Sequence, residues 1–301
     1  MVDSGQSQPN EIIGLSYENP DRPHLGLEAM TFAELRARTK PYVAASPIRA
    51  DFHQLTVVRS GTATAAVDFV PHACRPGTVL HVRPGQVQRL PSEPDGRRMA
   101  DLDAVVLLFT ADFPARLERV APLLDLEFGP AVLTSGGMDG AALHQAAVEV
   151  VAEYRCLDLR DGAAARLSVE LLRQLTASVL LRIARLPRPS GEGDGGTAFR
   201  AFRMAVERSF AQMRDVQDYA TRLGYAPRTL TRACLAATGT TAKQFIDARV
   251  ALEAKRLLVY TQLSVSAIGR TLGFSEATNF GKFFAREVGM TPGAFRAAER
   301  G

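Results

Sequence analysis

Hydrophobic and polar positions change period along this chain. Between Ala50 and Thr110 the apolar residues come in short runs, Gln54–Arg59, Ala63–Val70, Gly77–Val82, Val87–Leu90 and Ala104–Thr110, separated by Gly61, Pro76-Gly77, Pro84-Gly85 and Pro94-Asp95-Gly96. Runs of this length bounded by Pro and Gly predict antiparallel strands joined by hairpins, and no helix survives such a density of breakers. A small barrel or jelly roll is the expected form. Residues 1 to about 30 are polar and rich in Pro, Asn and Gly, which predicts an irregular arm.

From Asp139 the period becomes helical. One helix is expected over 139–159, Asp161-Gly162 interrupts it, and a second is expected over 163–186, where Leu167, Leu171, Leu172, Leu175, Val179, Leu180, Ile183 and Leu186 make a wide apolar stripe. That stripe either covers its own barrel or meets its copy in another subunit. Residues 187–196 have the composition of a flexible linker, spanning roughly 17–19 Å root-mean-square if unstructured.

The last hundred residues say nearly the same thing twice. Val216, Ala220, Leu223, Gly224 and Tyr225 return 49 positions later as Val265, Gly269, Leu272, Gly273 and Phe274. Each copy predicts a short helix ending in glycine, a brief turn, and a second helix with an apolar inner side and Arg, Lys, Thr or Asn outside. That is the layout of a helix-turn-helix, whose second helix enters the major groove. Its residue types suit base reading: Arg and Lys donate to guanine O6 and N7, Asn pairs with adenine, and Thr reaches phosphate or a thymine methyl. Between the copies, residues 241–258 predict one uninterrupted helix, about 27 Å long at ~1.5 Å per residue. Such a strut can hold two readers near one duplex turn, about 34 Å, apart.

Charge sharpens the division. Residues 1–196 hold 20 Lys and Arg against 24 Asp and Glu, a net of −4, and residues 197–301 hold 16 against 8, a net of +8. The positive charge therefore sits in the repeated segment, where a polyanion docks. Cys74, Cys156 and Cys234 are odd in number and widely spaced, which argues against a disulfide framework or a zinc cluster and for a reducing compartment. Residues 1–10 are polar, unlike a signal peptide, and no apolar run approaches the ~20 residues of a membrane span. A soluble, cytoplasmic protein with no membrane partner is expected.

The run Gly273-Phe274-Ser275-Glu276, with Asn279-Phe280, Phe283-Phe284, Gly289-Met290-Thr291-Pro292 and Phe295-Arg296, resembles the second helix-turn-helix signature of the AraC/XylS family of bacterial transcription regulators. The resemblance covers about 199–296 strongly. Residues 50–186 resemble the sensory half of such proteins, a cupin-type barrel followed by dimerising helices, through Cys74-Arg75-Pro76-Gly77 and Arg83-Pro84-Gly85-Gln86-Val87. It implies an α+β multidomain fold: an arm and cupin-like sensory barrel over 1–137, a helical pair over 138–186 that dimerises, a linker over 187–196, and an all-α double helix-turn-helix domain over 197–301. It also implies a non-enzymatic regulator that binds double-stranded promoter DNA, forms a homodimer, meets RNA polymerase and responds to a small-molecule effector, with no cofactor. The family's base-reading surface falls on Arg228, Thr231 and Arg232 in the first unit and on Thr278, Asn279 and Lys282 in the second. Thr229, Ser275, Glu276 and Arg286 flank these and touch phosphate or order the turn. The second unit has 16 positions from Gly273 to Gly289 against 15 from Gly224 to Gly239, the extra one in the turn. Arg249, Lys255 and Arg256 are expected to face solvent or to pair, as Arg249 with Glu253.

His53, His72 and His81 fall in the β region, where cupin enzymes bind metal through histidines and a carboxylate. A cupin metalloenzyme with an accessory DNA-binding module is the alternative function. The chain lacks a close His-x-His followed by Glu, and Gln88 stands where family members often place histidine. No metal site is therefore expected, and His53, His81 and Gln88 are candidates for hydrogen bonding to an effector inside the barrel. DNA repair through a reactive cysteine is a third reading, against which Cys234 falls on the core side of a recognition helix.

Overall fold

A computed structural model describes residues 12–93, 98–115, 124, 131–159, 162–186 and 196–300. The chain divides into two compact units, Met1–Pro187 and Arg188–Gly301. Residues 187–195 of the linker expected over 187–196, and the turn at Pro94-Asp95-Gly96, lie outside the described residues, and Gly196 already begins a helix.

The first unit holds ten strands, β1 (Ile13–Leu15), β2 (Leu27–Thr31), β3 (Ile48–Ala50), β4 (His53–Ser60), β5 (Ala63–Val67), β6 (Val70–Cys74), β7 (Thr78–Val82), β8 (Val87–Ser92), β9 (Asp103–Phe109) and β10 (Val132–Thr134), among its described residues. They form two five-stranded sheets, ordered β1-β3-β8-β5-β6 and β10-β7-β4-β9-β2, as separate ladders and not as one closed barrel. The expected irregular arm contributes β1 and β2. Short helices α1 (Phe32–Arg38) and α2 (Pro41–Ala45) lead into β3.

The two Pro-Gly motifs are the same turn made twice. Thr78 and Gln86 N–H donate to the Arg75 and Arg83 carbonyls, Gly77 and Gly85 take φ of +86° and +79°, and the Thr78 hydroxyl and Gln86 side-chain oxygen accept from the Arg75 and Arg83 N–H. Proline sets the first central residue of such a turn, and glycine supplies the positive φ of the second. The run Ala63–Val70 is not one strand but the start of a hairpin that turns on Asp68 and Phe69, both at positive φ. No glycine or proline announces that turn.

One core lies between the sheets: Met30, Val58, Leu80, Val82 and Val106 from one meet Ile48, Ala65, Val67, Cys74 and Leu90 from the other. The opposite face of the β4 sheet is covered by α3 (Gly137–Cys156) and α4 (Gly162–Ala184). Leu55, Val57, Leu107 and Phe109 pack there with Leu143, Val150, Leu172, Val179, Leu180 and Ile183. The apolar stripe of α4 thus covers its own sheet through its later turns. Leu167 and Leu171, from the early turns, are 75% and 46% exposed.

The second unit is helical: α5 (Gly196–Ser209), α6 (Val216–Leu223), α7 (Pro227–Thr238), α8 (Ala242–Tyr260), α9 (Val265–Thr271), α10 (Ala277–Val288) and α11 (Pro292–Arg300). Phe202, Val206, Tyr219, Leu230 and Cys234 are buried around the first helix-turn-helix, and Ile268, Leu272, Phe280, Phe284 and Phe295 around the second. No described helix is long and apolar enough to cross a membrane.

Candidate nucleic-acid interface

The duplication visible in sequence is a duplication of hydrogen bonds. In the first copy Gly224 N–H donates to Thr221 and Tyr225 N–H to Ala220. In the second, Gly273 N–H donates to Arg270 and Phe274 N–H to Gly269, at the same positions of the repeat. Gly224 and Gly273 take φ of +70° and +76°. This is how a helix end satisfies its last carbonyls, and glycine is favoured because a Cβ disfavours the left-handed region. The next helix begins at once, α7 behind Ala226 with Pro227 at its first turn and α10 behind Glu276. From glycine to N-cap is two residues in the first unit and three in the second, and both helices then run for 12 residues. The extra residue of the second copy is in the turn.

Helix α7 buries Leu230, Cys234 and Ala237, and α10 buries Phe280, Phe283 and Phe284. On the opposite side, Arg228, Arg232 and Leu235 of α7 are exposed, with Thr229 and Thr231 half-buried between the faces. In the second unit Ser275, Glu276, Thr278, Asn279, Lys282 and Arg286 are all exposed. The side chains of Arg228, Arg232, Thr278, Asn279 and Lys282 make no ion pair or hydrogen bond with other described residues. Arg286 differs, since it donates to Glu287 at 2.8 Å and approaches Asp247 of α8 at 3.5 Å.

Helix α8 joins the two units. Thr241 and Gln244 form its capping box, and its 19 residues extend for about 28 Å at ~1.5 Å per residue. Arg249 and Arg256 are each 2% exposed, so solvent exposure is not their state. Arg249 donates to Glu207 of α5 at 2.9 Å and to Glu253 at 3.2 Å, and its guanidinium carbon lies 3.9 Å from the centre of the Phe210 ring. Arg256 donates to the same Glu253. Sequence alone marks Arg249 as one more base on a helix; only the fold of α5 against α8 buries it. At the far end Arg296 of α11 donates to the Leu258 and Leu263 carbonyls.

Cys234 points into the core of the first helix-turn-helix, and burial pushes its thiol up to about 12. It is therefore a thiol and not a thiolate near neutral pH.

In the first unit the three effector candidates separate. Strand parity sends Gln54, Thr56 and Val58 into the space between the sheets and His53, Leu55 and Val57 toward the helices. Gln88 lies between the sheets, where its Nε2 donates to Gln54 Oε1 at 2.9 Å. Gln54 Nε2, Thr56 Oγ1 and Gln88 Oε1 are buried without a partner among the described residues. His53 and His81 meet on the helix side, Nδ1 to Nε2, at 3.1 Å, with His53 stacked on Phe109. Burial, and then the positive charge of Arg83, pull His53 down to about 3 and His81 well below its ordinary value. Both rings are neutral, one donating to the other. They share no space with Gln88, because they stand on the other face of β4. No three His, Cys, Asp or Glu side chains converge in metal-binding fashion among the described residues.

A helix-turn-helix domain family matches residues 219–298. The chain is 26% identical over 245 residues to the HTH-type transcriptional activator RhaS of Salmonella arizonae, covering 80% of this chain and 84% of that one. It is 28% identical over 138 residues to the HTH-type transcriptional activator RhaR of Cronobacter sakazakii, covering 46% and 48%. Among solved structures, an AraC-type DNA-binding regulator from Chromobacterium violaceum is 24% identical with a TM-score of 0.32 and covers 34% of this chain and 91% of that one.

Two capped helix-turn-helix units in a basic domain, with curated relatives that are HTH-type transcriptional activators, define a sequence-specific DNA-binding transcription regulator. Its N-terminal unit is β-rich, as the sensory half of such proteins is. Over 80% of its length the chain is similar to HTH-type transcriptional activators, and residues 219–298 carry the helix-turn-helix domain.

Proposed function

We propose that the second unit reads two successive major grooves of promoter DNA, α7 through Arg228, Thr231 and Arg232 and α10 through Thr278, Asn279 and Lys282. Thr229, Ser275, Glu276 and Arg286 contact phosphate or order the turns beside them. The observation that supports this is the display of Arg228, Arg232, Asn279 and Lys282 on the outer faces of two equivalent helices, with no competing partner among the described residues. Exposed donors without internal partners are what direct base readout uses.

The N-terminal unit binds a small effector between its sheets. An unpaired amide donor, a hydroxyl and an amide acceptor, on Gln54, Thr56 and Gln88, suit an uncharged ligand with several hydroxyl or amide groups. Leu167 and Leu171 on α4 form part of a homodimer seam, and the bound regulator meets RNA polymerase in the cytoplasm.

The test is a gel-shift titration against an operator selected from random DNA. Arg232→Ala should weaken binding by about 1–3 kcal/mol and relax preference at one base pair. An unchanged footprint and affinity would reject the assignment.

A further inference from the structure

The two helix-turn-helix units touch each other directly, apart from the strut they share. Residues 210–214 connect α5 to α6 in the first unit, and this connector lies against the turn of the second. Arg214 donates through Nη2 to the Gly273 carbonyl. Its guanidinium carbon stands 3.5 Å from the centre of the Phe274 ring, close enough for the planar cation to stack. Gly273 itself sits so near the Ala211 carbonyl oxygen that a Cβ would fall inside 3.0 Å of it. Phe274 in turn packs on Phe280 and Phe283 of α10, with ring centroids 5.3 and 5.1 Å away. A path of close contacts thus runs from the connector of the first unit to the buried side of the second recognition helix.

This contact is not part of the repeat. At Gly224, the counterpart of Gly273, a Cβ would meet nothing within 4 Å. It exists only between the copies. Both helix-turn-helix units are tied to α8 along its length, so their relative angle depends on how stiffly that one helix transmits it, and an attachment away from its axis couples the two directly.

We propose that Arg214 is a positioning residue that sets the angle between α7 and α10, so that the protein discriminates operators by the number of base pairs between two half-sites. The inference rests on the two-groove reading above. Inserting one base pair moves the second half-site ~3.4 Å along the duplex and turns it by about 34–36°. Side chains that must meet base edges within roughly 0.5 Å cannot follow unless the two units swivel. Arg214 resists the swivel.

The experiment uses the full chain and its selected operator, with the spacer changed by −1, +1 and +2 base pairs. Wild type should lose ~30-fold in affinity at one base pair from the optimum, Arg214→Ala only ~5-fold, and Arg214→Lys an intermediate amount, because an ammonium keeps the charge without the planar stack. The effect of single-base changes inside each half-site should stay as in wild type. A wild-type spacer profile for Arg214→Ala overturns the proposal, as does a uniform loss at every spacer that tracks a lowered melting temperature. If the alanine variant does not fold, Arg214→Lys decides, and a wild-type profile for it is equally fatal. If deleting either half-site leaves wild-type affinity unchanged, the two-groove reading itself fails and takes this inference with it.

Discussion

The two repeat glycines give a controlled comparison. Both are left-handed, at φ of +70° for Gly224 and +76° for Gly273, but only Gly273 has a backbone oxygen where its Cβ would go. Placing alanine in the left-handed region costs about 1–2 kcal/mol, partly offset by the ~0.4–1 kcal/mol that alanine gains by restricting the unfolded chain. Gly224→Ala should therefore destabilise by about 1 kcal/mol. Gly273→Ala must in addition push the Ala211 carbonyl away, and with it the Arg214 stack on Phe274; overpacking of this kind adds ~1–3 kcal/mol, for a total of about 3. The assay is hydrogen exchange of the full chain read peptide by peptide, which separates the units and suits a protein without tryptophan. Amides in α9 and α10 should open about 30-fold more often in Gly273→Ala than those of α6 and α7 do in Gly224→Ala, the equivalent of ~2 kcal/mol. Equal effects would show that the connector yields freely and that the contact between the units is not tight.

Acid should loosen the first unit. His53 and His81 are held neutral when folded, at about 3 and well below the ordinary value, whereas unfolded histidine titrates near ~6.5. The unfolded chain takes up the extra protons, so their contribution is full above about pH 6.5 and is lost on acidification, by up to ~1.4 kcal/mol per pH unit for each ring. Pulse proteolysis in urea at pH 7.5 and 5.5 should give a lower midpoint at the acid pH, and replacing both histidines by leucine should flatten the difference; identical wild-type midpoints would contradict it. In the second unit, Arg249→Met removes the buried cation shared by Glu207 and Glu253; Arg256 still reaches Glu253, so the loss should cost about 3 kcal/mol, the low end for breaking a buried pair. Circular dichroism melts measure this, and a change under ~1 kcal/mol would mean that the carboxylates find other partners or water.

Legibility varied with the range of the interaction. The helix ends at Gly224 and Gly273, the extra turn residue of the second unit and the Pro-Gly turns at Pro76 and Pro84 were readable, because each depends on hydrogen bonds within about six residues. The hairpin at Asp68 and Phe69 was not, since Asp68 is a common turn residue but is followed by Phe69, where such a turn favours glycine, and the positive φ of Phe69 is imposed by the pairing of β5 with β6 and β8. The pairing of Arg249 with Glu253 was readable and is present, but the burial of Arg249 and Arg256 was not, because nothing near them in sequence signals that α5 brings Glu207 alongside. The two histidines and Gln88 looked like one site. Register decided otherwise: a shift of one residue along β4 exchanges the space between the sheets for the space under the helices.

The sequence by itself determined the repeat, its caps, the basic domain and the residue types offered to DNA, all of them set by local backbone chemistry and by charge along the chain. The tertiary structure decided which face each strand residue takes, that the later turns of α4 cover their own sheet, and that Arg214 of one unit stacks on Phe274 of the other. Those outcomes depend on segments tens of residues apart arriving at the same place, and composition and period do not encode that meeting.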